Sequence, residues 1–212
     1  MTPDSAPTGM DARPLSKRFR EALAFAAEAH EGQARKGTDI PYISHLLAVT
    51  CIVLEYGGDE EQAIAALLHD AIEDQGGEQM RQKIRERFGD RVTRMVDDCT
   101  DAEVVPKPQW KERKEAYLAH LPEAHADSLL VSMADKLHNS TAIVRDFRRH
   151  GASVFKRFKA RPAGVAWYYR SLVEAYETRE RDGDLGEDAG ALLQELRGAV
   201  EELDRAVAGL ES

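Results

Sequence analysis

Between Ala66 and Asp74 the chain reads Ala66-Leu67-Leu68-His69-Asp70-Ala71-Ile72-Glu73-Asp74. An imidazole and a carboxylate end an apolar run, and two more carboxylates follow a helical turn later. At 3.6 residues per turn the four polar side chains fall within roughly 140° of one helix face. Burying that much charge is costly unless it is paired or bound to a metal, so stability does not account for the pattern. His69-Asp70 offers two ligands of the N,O type, and a metal needs more. Two further candidates stand in apolar helical stretches: His45, 24 residues before His69, and Asp135, 65 residues after Asp70. A solitary histidine in a helix is usually structural; His45 becomes a candidate through its company. Two imidazoles and two carboxylates, with positions open for water, suit a borderline or hard divalent ion. Mn²⁺ fits well, and Fe²⁺ or Mg²⁺ are alternatives.

The elements that must position these groups are helical. Apolar residues recur at helical spacing, and no alternating strand or hairpin pattern is present, so the expected fold class is all-α. A first helix is expected over Leu15–His30, followed by a loop from Glu31 to Ile40 with Gly32 and Gly37. Pro41 fits the first turn of a second helix that reaches Tyr56 and stops at Gly57-Gly58. Asp59 caps a third helix ending near Asp74, closed by Gly76-Gly77. A fourth runs to Phe88, and a fifth covers Asp90–Cys99 with Val92, Met95 and Val96 inward. Ala102–Gln109, with Pro106 and Pro108, reads as a loop. Helices then cover Trp110–Leu121 and Ala124–Arg149, with Gly151 as the break. A short helix over Ser153–Lys159 and one over Gly164–Glu180 follow, and Arg181–Gly186 is a polar linker. In the last helix Leu193, Leu196, Val200, Leu203, Val207 and Leu210 form a seam at spacings of three and four. That seam can pack on its own domain or on a second copy of the chain, giving a homodimer.

Bulk properties narrow the function classes. The 212 residues suit one large domain, or a domain with an appendage. No apolar run approaches the roughly 20 residues of a membrane span. The segment Met1 to Pro14 lacks a basic stretch followed by an apolar one, so it reads as a flexible tail, not a secretory signal. Cys51 and Cys99 lack CxxC spacing, which suits a reduced, cytoplasmic protein in which both thiols are small core residues. A net charge of −9 argues against nucleic acid as a partner. One region runs the other way: Arg145, Arg148, Arg149, Lys156, Arg157, Lys159 and Arg161 face only Asp146 in sequence. They form either a solvated face or a basic rim that draws in a phosphorylated small molecule.

Four segments in order carry a resemblance. Ala29-His30-Glu31-Gly32-Gln33-Ala34-Arg35-Lys36-Gly37-Thr38 is followed by Pro41-Tyr42-Ile43-Ser44-His45. His69-Asp70-Ala71-Ile72-Glu73-Asp74 and Ala134-Asp135-Lys136-Leu137-His138-Asn139 complete the set. His45, His69-Asp70 and Asp135 match the H…HD…D pattern of HD-domain phosphohydrolases. From about residue 16 to 175 the chain resembles the hydrolase domain of RelA/SpoT-type alarmone enzymes. It lacks room for the synthetase and regulatory domains of the long members, and so looks like a stand-alone small alarmone hydrolase similar to the metazoan SpoT homologues. Leu46 after His45, and Ser140-Thr141-Ala142 after Asn139, depart from the long members' pattern.

The resemblance implies an HD-domain bundle of about eight to ten helices; with the tail and the last helix read above, the expected organisation is a tail over 1–14, the hydrolase domain over 15–180 and a C-terminal amphipathic helix over 187–211. The resemblance also implies Mn²⁺ held by His45, His69, Asp70 and Asp135. Glu73 would orient a water or take its proton, and Asp74 would assist or protonate the leaving oxygen. Arg35 and Lys36 match the family's phosphate-binding pair. Asn139 would contact substrate or orient Asp135, Tyr42 would pack near the substrate or in the core, and His30 and His138 would be structural. The implied reaction removes the 3′-pyrophosphate of ppGpp or pppGpp, giving GDP or GTP and pyrophosphate. The alternatives are the same chemistry on ppApp, the 2′-phosphate of NADPH or a nucleoside monophosphate, and a helical module that senses nucleotide without turnover.

Overall fold

The computed structural model describes residues 14–101 and 108–210. The expected tail lies outside them except for Pro14, as does most of the expected loop between Ala102 and Gln109. Among the described residues every regular element is helical, as the periodicity requires: α1 (Lys17–Ala29), α2 (Ile43–Glu55), α3 (Glu60–Leu68), α4 (Ala71–Gln75), α5 (Gly77–Cys99), α6 (Trp110–His120), α7 (Ala126–His150), a 3-10 segment (Gly151–Arg157), α8 (Pro162–Arg181) and α9 (Glu187–Ala208). None of these helices is long and apolar enough to cross a membrane.

α3 is the axis of the fold. Asp59 and Gln62 form a reciprocal capping box at its start. Ala63, Ile64, Ala65, Ala66, Leu67 and Leu68 are then all fully buried. A helix apolar on every side belongs in the centre of a bundle, and α1, α2, α5 and α7 surround it. Its last residues therefore deliver His69 into the core. The third helix expected to run to Asp74 is in fact broken there. His69 caps α3, and Asp70 leaves ideal helical geometry at φ −99°, ψ −3° before α4 begins.

The loop before α2 is also fixed. An antiparallel bridge joins Ala34 to Pro41, through Arg35 N–H donating to the Ile40 carbonyl at 2.8 Å and Tyr42 N–H to that of Gln33 at 2.9 Å. Gly37 turns the loop with φ +72°, and a Cβ there would meet Arg157 Cγ at 2.8 Å, so the turn needs glycine twice over. The expected fourth and fifth helices are the two arms of α5, which bends at Gly89 (φ +81°). The expected short helix over Ser153–Lys159 is the 3-10 segment.

α9 packs against α7 and α8. Leu192, Leu193, Leu196, Val200, Leu203 and Val207 are buried, while Leu210 is exposed. The seam that could have met a second copy is thus occupied within the chain as far as Val207. Cys51 departs from expectation: it is exposed on α2, and only Cys99 is a buried thiol. α2 buries the face bearing His45, Leu46, Val49 and Val53 and leaves Leu47, Cys51 and Leu54 outward.

α7 carries Asp135, and its start is tied to the end of α5 by Asp98. That buried carboxylate accepts from Ser128 Oγ at 2.6 Å, His125 N at 3.1 Å, His125 Nδ1 at 3.0 Å and His120 Nε2 at 3.1 Å. Burial opposes its ionisation, but Ser128 and the His125 and His120 contacts hold it below the usual carboxylate range. Asp98→Ala is expected to cost about 2–3 kcal/mol of unfolding free energy. The sign with pH follows from the lowered pKa. The stabilisation is complete above the unfolded-state value of about 4 and fades as pH falls through the lower folded value. Urea midpoints of wild type and Asp98→Ala should therefore differ by a constant amount above about pH 5 and converge in acid. A gap that widens in acid would contradict this.

Candidate metal centre

α3 brings His69 and Asp70, α2 brings His45 at its first turn, and α7 brings Asp135 at mid-helix. Their donor atoms form an alternating ring. His45 Nε2 is 3.5 Å from Asp70 Oδ2, Asp70 Oδ2 is 3.0 Å from His69 Nε2, His69 Nε2 is 3.5 Å from Asp135 Oδ1, and Asp135 Oδ1 is 3.2 Å from His45 Nε2. Both imidazoles and Asp135 are buried, and Asp70 is partly open to solvent. Donors about 2.1 Å from a common centre lie about 3.0 Å apart along octahedral edges and about 3.4 Å along tetrahedral ones. The four edges lie in that range; His45, His69 and Asp70 all stand close enough to one another to hold one ion, and Asp135 adjoins both histidines.

Two further observations fit an ion. His69 Nε2 is buried and makes no hydrogen bond. Burial alone would lower the His69 pKa, but Asp70 and then Asp135 hold it well above its ordinary value. The carboxylates thus create a potential that favours positive charge at this point. They stay ionised although burial opposes it: His69 and His45 hold Asp70, and Lys136 with both histidines holds Asp135, well below the usual range.

Each ring member has an outer partner. His69 Nδ1 lies 2.8 Å from the Ala66 carbonyl. A carbonyl can only accept, so Nδ1 keeps a proton and Nε2 is the nitrogen left to bind an ion. Tyr42 donates its hydroxyl to Asp70 Oδ2 at 2.5 Å, and His30 stacks on the Tyr42 ring at 5.1 Å. Asn139 Nδ2 donates to Asp135 Oδ1 at 2.5 Å, and Lys136 Nζ to Asp135 Oδ2 at 2.6 Å. His45 Nδ1 lies 2.7 Å from His138 Nδ1. Burial, then His45 and Arg35, push the His138 pKa down to about 4.

A cavity opens on Asp70 and Asp135. Arg35, Tyr42, Glu73, Cys99, Asp101, Lys114, Lys136, Asn139, Tyr168 and Tyr169 complete its lining. Of the residues singled out from sequence, the structure brings eight to this place: the four ring members, Glu73, Arg35, Tyr42 and Asn139. Arg35 donates to Asn139 Oδ1 at 2.8 Å, so loop and α7 are linked across the cavity. Lys36 is exposed at the edge, 5.8 Å from the Phe158 ring. Burial, then the neighbouring charges of Lys159 and Arg113, lower its pKa. Asp74 is also exposed, outside the lining, and accepts from Gln33 Nε2 at 3.0 Å. Glu73 Oε1 is 3.6 Å from Arg113.

Sequence reading missed the far wall. Arg113 and Lys114 pair with Asp101, and Lys114 Nζ sits 4.7 Å above the Tyr168 ring. The Tyr168 hydroxyl is buried with no hydrogen-bond partner. α6 is charged nearly all round, so nothing in its pattern separates these cations from surface ones. Tyr168-Tyr169 was a visible signal: two adjacent aromatic side chains with polar tips in a single helix. Of the basic run after Arg145, Arg145 and Arg157 pair with Asp146, and Arg148 with Glu202.

The comparisons with known proteins point one way. Residues 22–166 match the model of an HD domain family. A guanosine-3′,5′-bis(diphosphate) 3′-pyrophosphohydrolase, MESH1 of Xenopus tropicalis, is 39% identical over 132 residues, which are 61% of this chain and 69% of that protein. The Homo sapiens MESH1 is 36% identical over the same shares. The bifunctional (p)ppGpp synthase/hydrolase SpoT of Escherichia coli K12 is 35% identical over 58% of this chain, but only 18% of SpoT is covered. A solved structure of a metazoan ortholog of SpoT that hydrolyses ppGpp superposes with a TM-score of 0.68 at 25% identity, covering 87% of this chain and 96% of that one.

Proposed function

The chain belongs to the HD domain family, and from that premise we propose that it is a divalent-metal-dependent phosphohydrolase that removes the 3′-pyrophosphate of ppGpp and pppGpp, leaving GDP or GTP. The observation that carries this reading is the N–O–N–O ring at the base of a cavity whose other walls bear Arg35, Lys114 and Lys136. A hydrolytic centre and a cationic lining meet at one place, as cleavage of a polyphosphate requires. We assign His45, His69, Asp70 and Asp135 as ligands and Mn²⁺ as the ion, on the mixed N,O donor set. When bound, the ion supplies Lewis acidity and lowers the pKa of a coordinated water.

The chain's own groups do the rest. Glu73, in the cavity wall beside Arg113, orients the water and takes its proton. Asp74, on the same short helix, helps to return a proton to the leaving 3′ oxygen. Arg35 clamps phosphate oxygens from a loop braced by the Ala34–Pro41 bridge, with Lys36 adding charge at the edge. Asn139 holds both Asp135 and Arg35 in place, and Tyr42 fixes Asp70.

The deciding experiment strips the protein of metal and offers it ppGpp, pppGpp, ppApp, NADPH and dAMP, with and without Mn²⁺. Mn²⁺-dependent release of pyrophosphate from ppGpp is the expected result. Orthophosphate release from NADPH or dAMP alone would replace the substrate, and no turnover of any would favour a sensor. Within this assay Arg35→Ala should raise KM for ppGpp about 10- to 100-fold, the worth of a charge-assisted phosphate contact. An unchanged KM would remove Arg35 from the phosphate site.

A further inference from the structure

His45 and His69 face the same ring, yet their outer nitrogens are treated differently. The Nδ1 of His69 has the Ala66 carbonyl, which can only accept. No carbonyl serves His45: those of Pro41 and Tyr42, in the turn that opens α2, accept from Ser44 and His45 backbone N–H groups. The His45 Nδ1 instead points across to α7 and meets the Nδ1 of His138 at 2.7 Å, with the ring centroids 4.8 Å apart.

Two imidazole nitrogens this close hold one proton between them. With none, two lone pairs collide; with two, the protons do. If His138 owned that proton, neutral His45 would carry its own on Nε2, the atom aimed at Asp70 and Asp135, and could not ligate. We propose that His138 is a positioning residue for the metal centre: its Nδ1 accepts the Nδ1 proton of His45 and so keeps the His45 Nε2 lone pair directed into the ring. The inference rests on the metal assignment made above. It also gives α7 a double role. Asp135, His138 and Asn139 lie at i, i+3 and i+4 on one face; Asp135 is itself a ligand, and His138 sets the tautomer of a ligand from another helix.

The test reads metal affinity rather than turnover. Mn²⁺ binding to the full chain is measured by competition with a chelator for wild type, His138→Leu and His138→Asn. Leucine keeps bulk and loses the acceptor; the asparagine Oδ1 takes the place of Nδ1. His138→Leu is expected to bind about 10- to 100-fold more weakly, and His138→Asn to regain most of that loss. Equal weakness in both variants, or wild-type affinity in His138→Leu, would overturn the proposal. Long-range ¹H–¹⁵N spectra of the wild type with diamagnetic Zn²⁺ test it without any substitution: protons on His45 Nδ1 and His138 Nε2 support it, and a proton on His138 Nδ1 refutes it. A wild type that bound no divalent ion would instead bring down the metal assignment itself, and this inference with it.

Discussion

His69→Ala is expected to lose both the bound ion and turnover, with kcat falling about 10³-fold or more, the several kcal/mol that a metal centre contributes. His69 Nε2 lies 3.0 Å from Asp70 Oδ2 and 3.5 Å from Asp135 Oδ1. Without the imidazole, two ionised carboxylates remain with a gap where a donor stood. Asp135→Ala should match this loss and add another. Lys136 donates to Asp135 Oδ2 at 2.6 Å, and its side chain is largely buried. Removing Asp135 strands that ammonium, at a cost of about 3–5 kcal/mol for a broken buried pair. The two variants should therefore share a catalytic defect and differ in stability. Metal content after gel filtration, pyrophosphate release and urea midpoints separate the effects. Stoichiometric metal with full turnover in His69→Ala would sink the assignment.

Glu73→Gln is expected to keep the ion and lose about 10²- to 10⁴-fold in kcat, the range of a general base. Glu73 is absent from the ring but lines the same cavity. Its Oε1 stands 3.6 Å from Arg113. Glutamine keeps the shape and removes the basicity, so metal content and the urea midpoint should stay near wild type while kcat falls. The contrast with His69→Ala is the informative part: one variant loses metal and rate together, the other loses rate alone. Full activity in Glu73→Gln would assign the proton to another group, and loss of metal would make Glu73 part of the ligand set.

Much of the fold was legible because helix signals are local. The Asp59 cap, the Gly57-Gly58 and Gly151 stops and the inward Val92, Met95 and Val96 needed only neighbours in sequence, and each stands where its pattern puts it. The misreadings arose where a neighbour in space decided. The helix through His69 breaks at Asp70 although its apolar run continues. Cys51 is exposed because α2 has one buried face, and a cysteine carries no mark of which face it occupies. Lys114 was invisible as a cavity residue because a charged helix reads alike whether its cations face water or a binding site.

The sequence alone determined the chemical parts: an adjacent His-Asp at the end of an apolar run, carboxylates one turn on, a second His and Asp in flanking helices, and an Arg-Lys pair in a glycine-bounded loop. Residue type and helical period are one-dimensional properties, and they suffice for an inventory. Only the tertiary structure decided how those parts join. It closed the ring with edges of 3.0–3.5 Å, linked Arg35 to Asp135 through Asn139, and turned His138 from a core histidine into the partner of His45. Hydrogen bonds and metal ligation act over a few ångströms between residues as many as 104 positions apart. Such distances are set by how helices pack, and no local pattern in a chain contains them.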